Sequence, residues 1–299
     1  MQDIDSLNRH FSIPGHISFT EGMGGLPVAK THNSQASAEI ALQGAHLFHW
    51  QPHGEAPVIW LSSGARFTRG KAIRGGIPIC WPWFGIHEDP TQTPHGFART
   101  AMWQVSTTEA LADGSTRIQF SLTNHESTPA IWPYAFQLDY NVTVGSALVI
   151  ELTTRNMDSR AFRISEALHT YFVAGDIEKI LIHGLIGHIY VDKADGMQRK
   201  SDDETISVKA EIDRVYLNTQ DRCSIEDREL QRTIEITSTH ARSTTVWNPW
   251  QEKSDAMGDM GNHGYRTMIC VENCNALDNA VTVEPGQHHS LIARYEVRR

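Results

Sequence analysis

Hydrophobic and polar positions alternate with a period of two along most of the chain. Ile118, Phe120 and Leu122 alternate with polar neighbours, and Ile40 and Leu42 share one parity. Phe136, Leu138, Tyr140, Val142 and Val144 keep one face over nine residues. After Gly145-Ser146, Leu148, Ile150 and Leu152 begin again, the signature of an antiparallel hairpin. Ile234 and Ile236, Thr244 to Trp247, Met268 to Glu272, Val281 to Val283 and Leu291 to Val297 continue the pattern, with Pro285-Gly286 as a turn. Helical periodicity is confined to Met1 to His10 and short loop pieces. Many short strands over the full length predict an all-β fold, a large antiparallel β-sandwich or a barrel. No linker, repeat or low-complexity tract divides the 299 residues, so residues 1–299 are read as one domain.

Composition narrows the function classes. The net charge of −9 argues against a nucleic-acid or anionic-membrane partner. The longest apolar stretch, Ile77 to Ile86, is broken by Pro78 and Pro82 and falls short of the about 20 residues a membrane helix needs. The start Met1-Gln2-Asp3-Ile4-Asp5 is not a signal peptide. Cys80, Cys223, Cys270 and Cys274 match neither a disulfide framework nor a zinc pattern. These features predict a cytoplasmic protein with reduced thiols, no metal and no cofactor.

Five stretches offer chemistry. Lys71 to Gly85 places Gly75-Gly76 after Arg74, where a backbone approaches something closely, then Trp81, Trp83 and Phe84 as a stiff wall suited to a sugar face. The competing reading is a β-bulge before core aromatics. His95-Gly96-Phe97-Ala98-Arg99 is either a pocket loop or a surface turn. His169, within Glu166 to Phe172, is either a satisfied core histidine or a catalyst; in a strand it shares a face with Ala167, Tyr171 and Val173. Asp213-Arg214 is either a solvated ion pair or a site element. Glu272, after the apolar run from Met268, either caps a strand or points a carboxylate into a cleft, where apolar walls raise its pKa. Dinucleotide, Walker, nucleophile-elbow and H-E-x-x-H templates are absent from the sequence, and His87-Glu88-Asp89 reads as a polar turn.

In this order, R-G-G-I-P-x-C-W-P-W-F-G (Arg74 to Gly85), H-G-F-A-R (His95 to Arg99), L-H-T-Y-F (Leu168 to Phe172), D-R-V-Y (Asp213 to Tyr216), V-W-N-P-W (Val246 to Trp250) and C-V-E-N (Cys270 to Asn273) resemble the aldose-1-epimerase superfamily. More narrowly they resemble its hexose-6-phosphate mutarotase branch. The resemblance implies a galactose-mutarotase-like sandwich of 20 or more strands that needs no partner subunit, hence a monomer. It implies His169 as acid and Glu272 as base, with Arg74, Arg99 and Asp213 binding substrate. His95 occupies the place of a second active-site histidine. The segment Met257 to Gly264 departs from the pattern and is expected beside the site.

The implied reaction interconverts α and β anomers of a hexose 6-phosphate by ring opening and reclosure. It requires no metal, and it predicts a bell-shaped pH–rate profile. The partner is then a small sugar phosphate. Without a glycine-rich loop leading into a helix, arginine is the expected phosphate anchor: Arg74 and Arg99, with Lys71 third. The alternatives are an enzyme for neutral aldoses and a non-catalytic sugar or sugar-phosphate binder of the same fold.

Overall fold

The computed structural model describes residues 2–124, 128–219 and 222–299. Its strands are antiparallel and short, and they fall chiefly into two large sheets. The nine-stranded sheet centres on Arg232–Thr239, His288–Arg298, Ala147–Asn156 and Phe136–Val144. The eight-stranded sheet runs from Gln198–Ser201 through Ile189–Asp192, Ile212–Leu217, Ser243–Asn248 and Met268–Asn275 to Glu166–Leu168 and Ile79–Cys80, with Tyr171–Val173 also pairing to Met268–Asn275. A four-stranded sheet is built from residues 17–52.

The alternating stripes explain the packing. Phe136, Leu138, Tyr140, Val142 and Val144 are all buried in one cluster with Leu148, Ile150 and Leu152. Their hairpin pairs Val144 with Leu148 around the expected Gly145-Ser146 turn. The same cluster extends to Val246, Ile269, Val271 and Tyr295, so the two large sheets share apolar faces. This is the expected sandwich.

Pro285-Gly286 is a turn, but the strands it joins do not pair with each other. Val281–Val283 pairs with Phe162–Ile164, while His288–Arg298 pairs with Ala147–Asn156. A second helix, Trp250–Ala256, follows Pro249 and starts where the Asn248 side chain accepts from the Trp250 N–H. No helix among the described residues is long and apolar enough to cross a membrane.

Candidate active site

Met268–Asn275 is buried at every residue. Val271 belongs to the core between the sheets, and Asn273 accepts from Tyr295 Oη at 3.2 Å. Glu272, one step from each, therefore leaves the opposite face, because successive strand side chains alternate. It is only 1% exposed, yet it lines a cavity of about 310 Å³.

His169 does not continue a strand. Glu166–Leu168 and Tyr171–Val173 flank it, and the Thr170 N–H turns back to the Leu168 carbonyl at 2.8 Å. Thr170 Oγ1 bonds Tyr295 Oη inside the core at 2.8 Å, and the His169 N–H donates to the Pro78 carbonyl at 3.0 Å. Held at both ends, the imidazole stacks on Tyr171 with centroids 4.9 Å apart, and the two rings share the cavity face although His169 lies outside a strand; Ala167 and Val173 do not line it.

His169 Nδ1 lies 3.3 Å from Glu272 Oε1. The contact lacks hydrogen-bond geometry: Nδ1 and Glu272 Oε2 are buried without partners. Burial pushes the Glu272 carboxyl well above its ordinary range, with Lys193 opposing and Asp213 reinforcing. Burial also pushes His169 well below its ordinary range, and His95, Arg99 and Arg74 add to the effect. Both shifts favour the uncharged arrangement, one proton between two groups with the carboxyl holding it.

His95 stands edge-on to His169, centroids 5.7 Å apart. Its Nδ1 accepts from the Gly85 N–H at 3.3 Å, so the neutral ring carries its proton on Nε2. Burial, then Arg99, Lys193 and Arg74, lower its pKa to about 3, so it stays neutral near pH 7.

Four cations line the same cavity: Arg74, Arg99, Lys193 and Lys253. Three are paired. Arg74 Nε meets Asp259 Oδ1 at 3.2 Å and its Nη1 donates to Tyr171 Oη at 3.1 Å. Lys193 meets Asp213 at 3.4 Å, and Lys253 pairs with Glu211. Arg99 donates from Nη2 to the Pro94 carbonyl at 2.7 Å, its Nε is without a partner, and it makes no ion pair among the described residues. Asp213 lines the cavity with its pKa raised by burial. Its neighbour Arg214 takes the other face of the strand and binds Asp202 at 2.7 Å.

The cavity thus collects His169, Glu272, Arg74, Arg99, Asp213 and His95. It does not collect Lys71, which is exposed and whose backbone is tied to the Thr68 carbonyl and to Gln43. The aromatic wall is also smaller than expected. Phe84 lines the cavity, whereas Trp81 is fully buried against Phe136 at 4.6 Å and Trp83 donates to the Thr93 carbonyl. The backbone that Gly75-Gly76 approaches is the protein's own: a Cβ on Gly76 would sit 2.5 Å from the Leu47 carbonyl. Sequence reasoning missed Lys193, Lys253, Trp247 and Asp259 as site residues. Trp247 lies in the V-W-N-P-W motif and Asp259 in the segment expected beside the site, whereas Lys193 and Lys253 carried no signal. The segment after Lys253 does border the site, through Met257 and Asp259.

A wider hollow of about 800 Å³ surrounds His240, Arg242 and His289 elsewhere, but His169 and Glu272 are not among its lining residues. The sequence pattern of aldose 1-epimerase matches residues 28–296. The chain belongs to the aldose 1-epimerase family. An Escherichia coli (strain K12) protein provisionally named glucose-6-phosphate 1-epimerase is 41% identical to this epimerase over 266 residues, 88% of each chain. A Cenchrus ciliaris protein of the same provisional name is 35% identical over 259 residues, 84% of this chain and 78% of its own. A Salmonella typhimurium crystal structure, of a protein provisionally called a mutarotase, superposes with a TM-score of 0.91 at 33% identity, covering 97% of this chain and 96% of its own.

Proposed function

We propose that this epimerase interconverts the anomers of a hexose 6-phosphate, with His169 and Glu272 as the proton-transfer pair and Arg99 as the principal phosphate anchor. The observation that carries the reading is the contact of His169 with Glu272 in a cavity that also holds a cation without a carboxylate partner. O1 and O5 of a pyranose are both bonded to C1. A pair 3.3 Å apart on one wall can serve both oxygens side by side.

Opening starts from the ionised arrangement. Glu272 takes the O1 proton, His169 delivers a proton to O5, and the C1–O5 bond breaks to leave an aldehyde. The pair is then neutral, the arrangement burial favours. After rotation about C1–C2, His169 recovers the O5 proton and Glu272 returns one to O1. The proton count closes, and each positioned group contributes typically 10²–10⁴-fold. His95, with its proton on Nε2, is placed to donate to a substrate oxygen. The phosphate meets Arg99 in charge-assisted bonds. We read the enzyme as a single-domain monomer working on a sugar phosphate in the cytoplasm.

The test is α-to-β exchange of glucose 6-phosphate followed by NMR saturation transfer, beside glucose. Acceleration for the phosphate ester alone, lost in a His169→Ala, Glu272→Gln double variant, is expected. Equal acceleration of glucose would favour a neutral-sugar enzyme, and tight binding without acceleration a sugar-phosphate binder.

A further inference from the structure

Cys270 is a buried thiol with no part in ring opening. It precedes Glu272 by two positions on one strand, so both side chains leave the same face. Its sulfur, a carboxylate oxygen of Glu272 and a ring nitrogen of His169 all lie within 4.8 Å of one another. Nδ1 of His169 and Oε2 of Glu272 are buried without hydrogen-bond partners. Nitrogen, oxygen and sulfur donors together suit a borderline-soft ion such as Zn²⁺, held at about 2.0–2.3 Å in a tetrahedron. Ligand atoms around such an ion stand on the order of 3.5 Å apart. The 3.3 Å approach of His169 to Glu272 meets that spacing, and the edges to the sulfur, within 4.8 Å, close by about 1 Å when an ion is held. Nothing in the residue order marks this trio, because His169 meets Cys270 and Glu272 only through the pairing of its flanking strands with theirs.

We infer that His169, Cys270 and Glu272 form a three-ligand site for a zinc-like divalent cation, whose occupancy inhibits the enzyme by taking its acid and base as ligands. Binding displaces two protons to solvent, one from the thiol and one shared by His169 and Glu272, and no electrons move. Mg²⁺ and Ca²⁺ are excluded by their preference for oxygen. Inhibition rests on the proposed catalytic pair; binding does not.

The test is a Co²⁺ titration of the full chain without substrate. A thiolate-to-cobalt absorption band saturating at one equivalent, displaced by Zn²⁺ and absent from Cys270→Ala, is expected. Zn²⁺ should also stop anomer exchange by the parent, while Cys270→Ala keeps its exchange and tolerates at least about tenfold more Zn²⁺, since even an outer-shell partner is worth 10–100-fold. Should the alanine variant unfold, Cys270→Ser preserves the shape and is likewise expected to lack the band. No band in the parent, or equal Zn²⁺ sensitivity in parent and variant, overturns the site. A cobalt–thiolate band on a chain that leaves hexose 6-phosphates unchanged would keep the site and remove the reaction.

Discussion

Burial acts on Glu272 and His169 in opposite directions, and each shift has a measurable consequence. The folded pKa of Glu272 lies above its unfolded value of about 4.3. Between the two, the folded state keeps a proton that the unfolded state has lost, so stability falls as pH rises through that window. Glu272→Gln removes the liability. We expect the variant to be more stable than the parent by about 1–2 kcal/mol at pH 8, with the gap closing towards pH 4, in urea unfolding. Its exchange rate should fall about 10²–10⁴-fold. Equal stability at pH 8 would mean that Glu272 is not held against its charge. The lowered His169 pKa also sets the acid limb of kcat below about pH 6.5, the ordinary histidine value. Arg99 yields a separate prediction. Arg99→Ala should raise KM for glucose 6-phosphate about tenfold to a hundredfold, the worth of one charged hydrogen bond, with kcat little changed. An unchanged KM would remove Arg99 from the anchor. The types and positions of these residues were legible in the sequence. That Arg74 is neutralised was illegible, because Asp259 lies 185 residues away in the chain.

At the scale of elements, stripes, turns and the hairpin they define were legible, and long-range pairing was not. The 136–152 hairpin was readable because two apolar stripes flank one turn. Pro285-Gly286 was equally readable as a turn, yet its flanking strands pair elsewhere, with Phe162–Ile164 and Ala147–Asn156. A turn dipeptide reports chain reversal and carries no information about long-range partners. The break at His169-Thr170 was hidden for the same reason: it is fixed by Tyr295 and Pro78, both distant. Gly76 shows an element constrained by its neighbours. Its φ is +69°, and an added Cβ would lie 2.4 Å from His46 Nε2 and 2.5 Å from the Leu47 carbonyl. Gly76→Ala should destabilise by about 2–3 kcal/mol through strain and clash together, and weaken substrate binding by shifting Arg74. A urea midpoint equal to the parent's would show that the strand beneath gives way freely.

For the whole molecule, a net charge of −9 must coexist with an anionic substrate. The arrangement of the cavity reconciles them. Arg74, Lys193 and Lys253 carry carboxylate partners and keep the rim close to neutral, while Arg99, with no ion pair among the described residues, is left for the phosphate. Charges beyond a Debye length of about 8 Å are screened, so the acidic exterior does little to a phosphate already in contact. The same exterior resists association of copies, because like net charges repel. No residue of the proposed proton-transfer pair or its cations has to come from a second chain. Specific activity on glucose 6-phosphate should therefore stay constant as enzyme is diluted from micromolar to nanomolar, and sedimentation should report a single chain. A loss of activity on dilution, restored by concentration, would mean that a neighbouring copy completes the rim formed here by Met257 and Asp259.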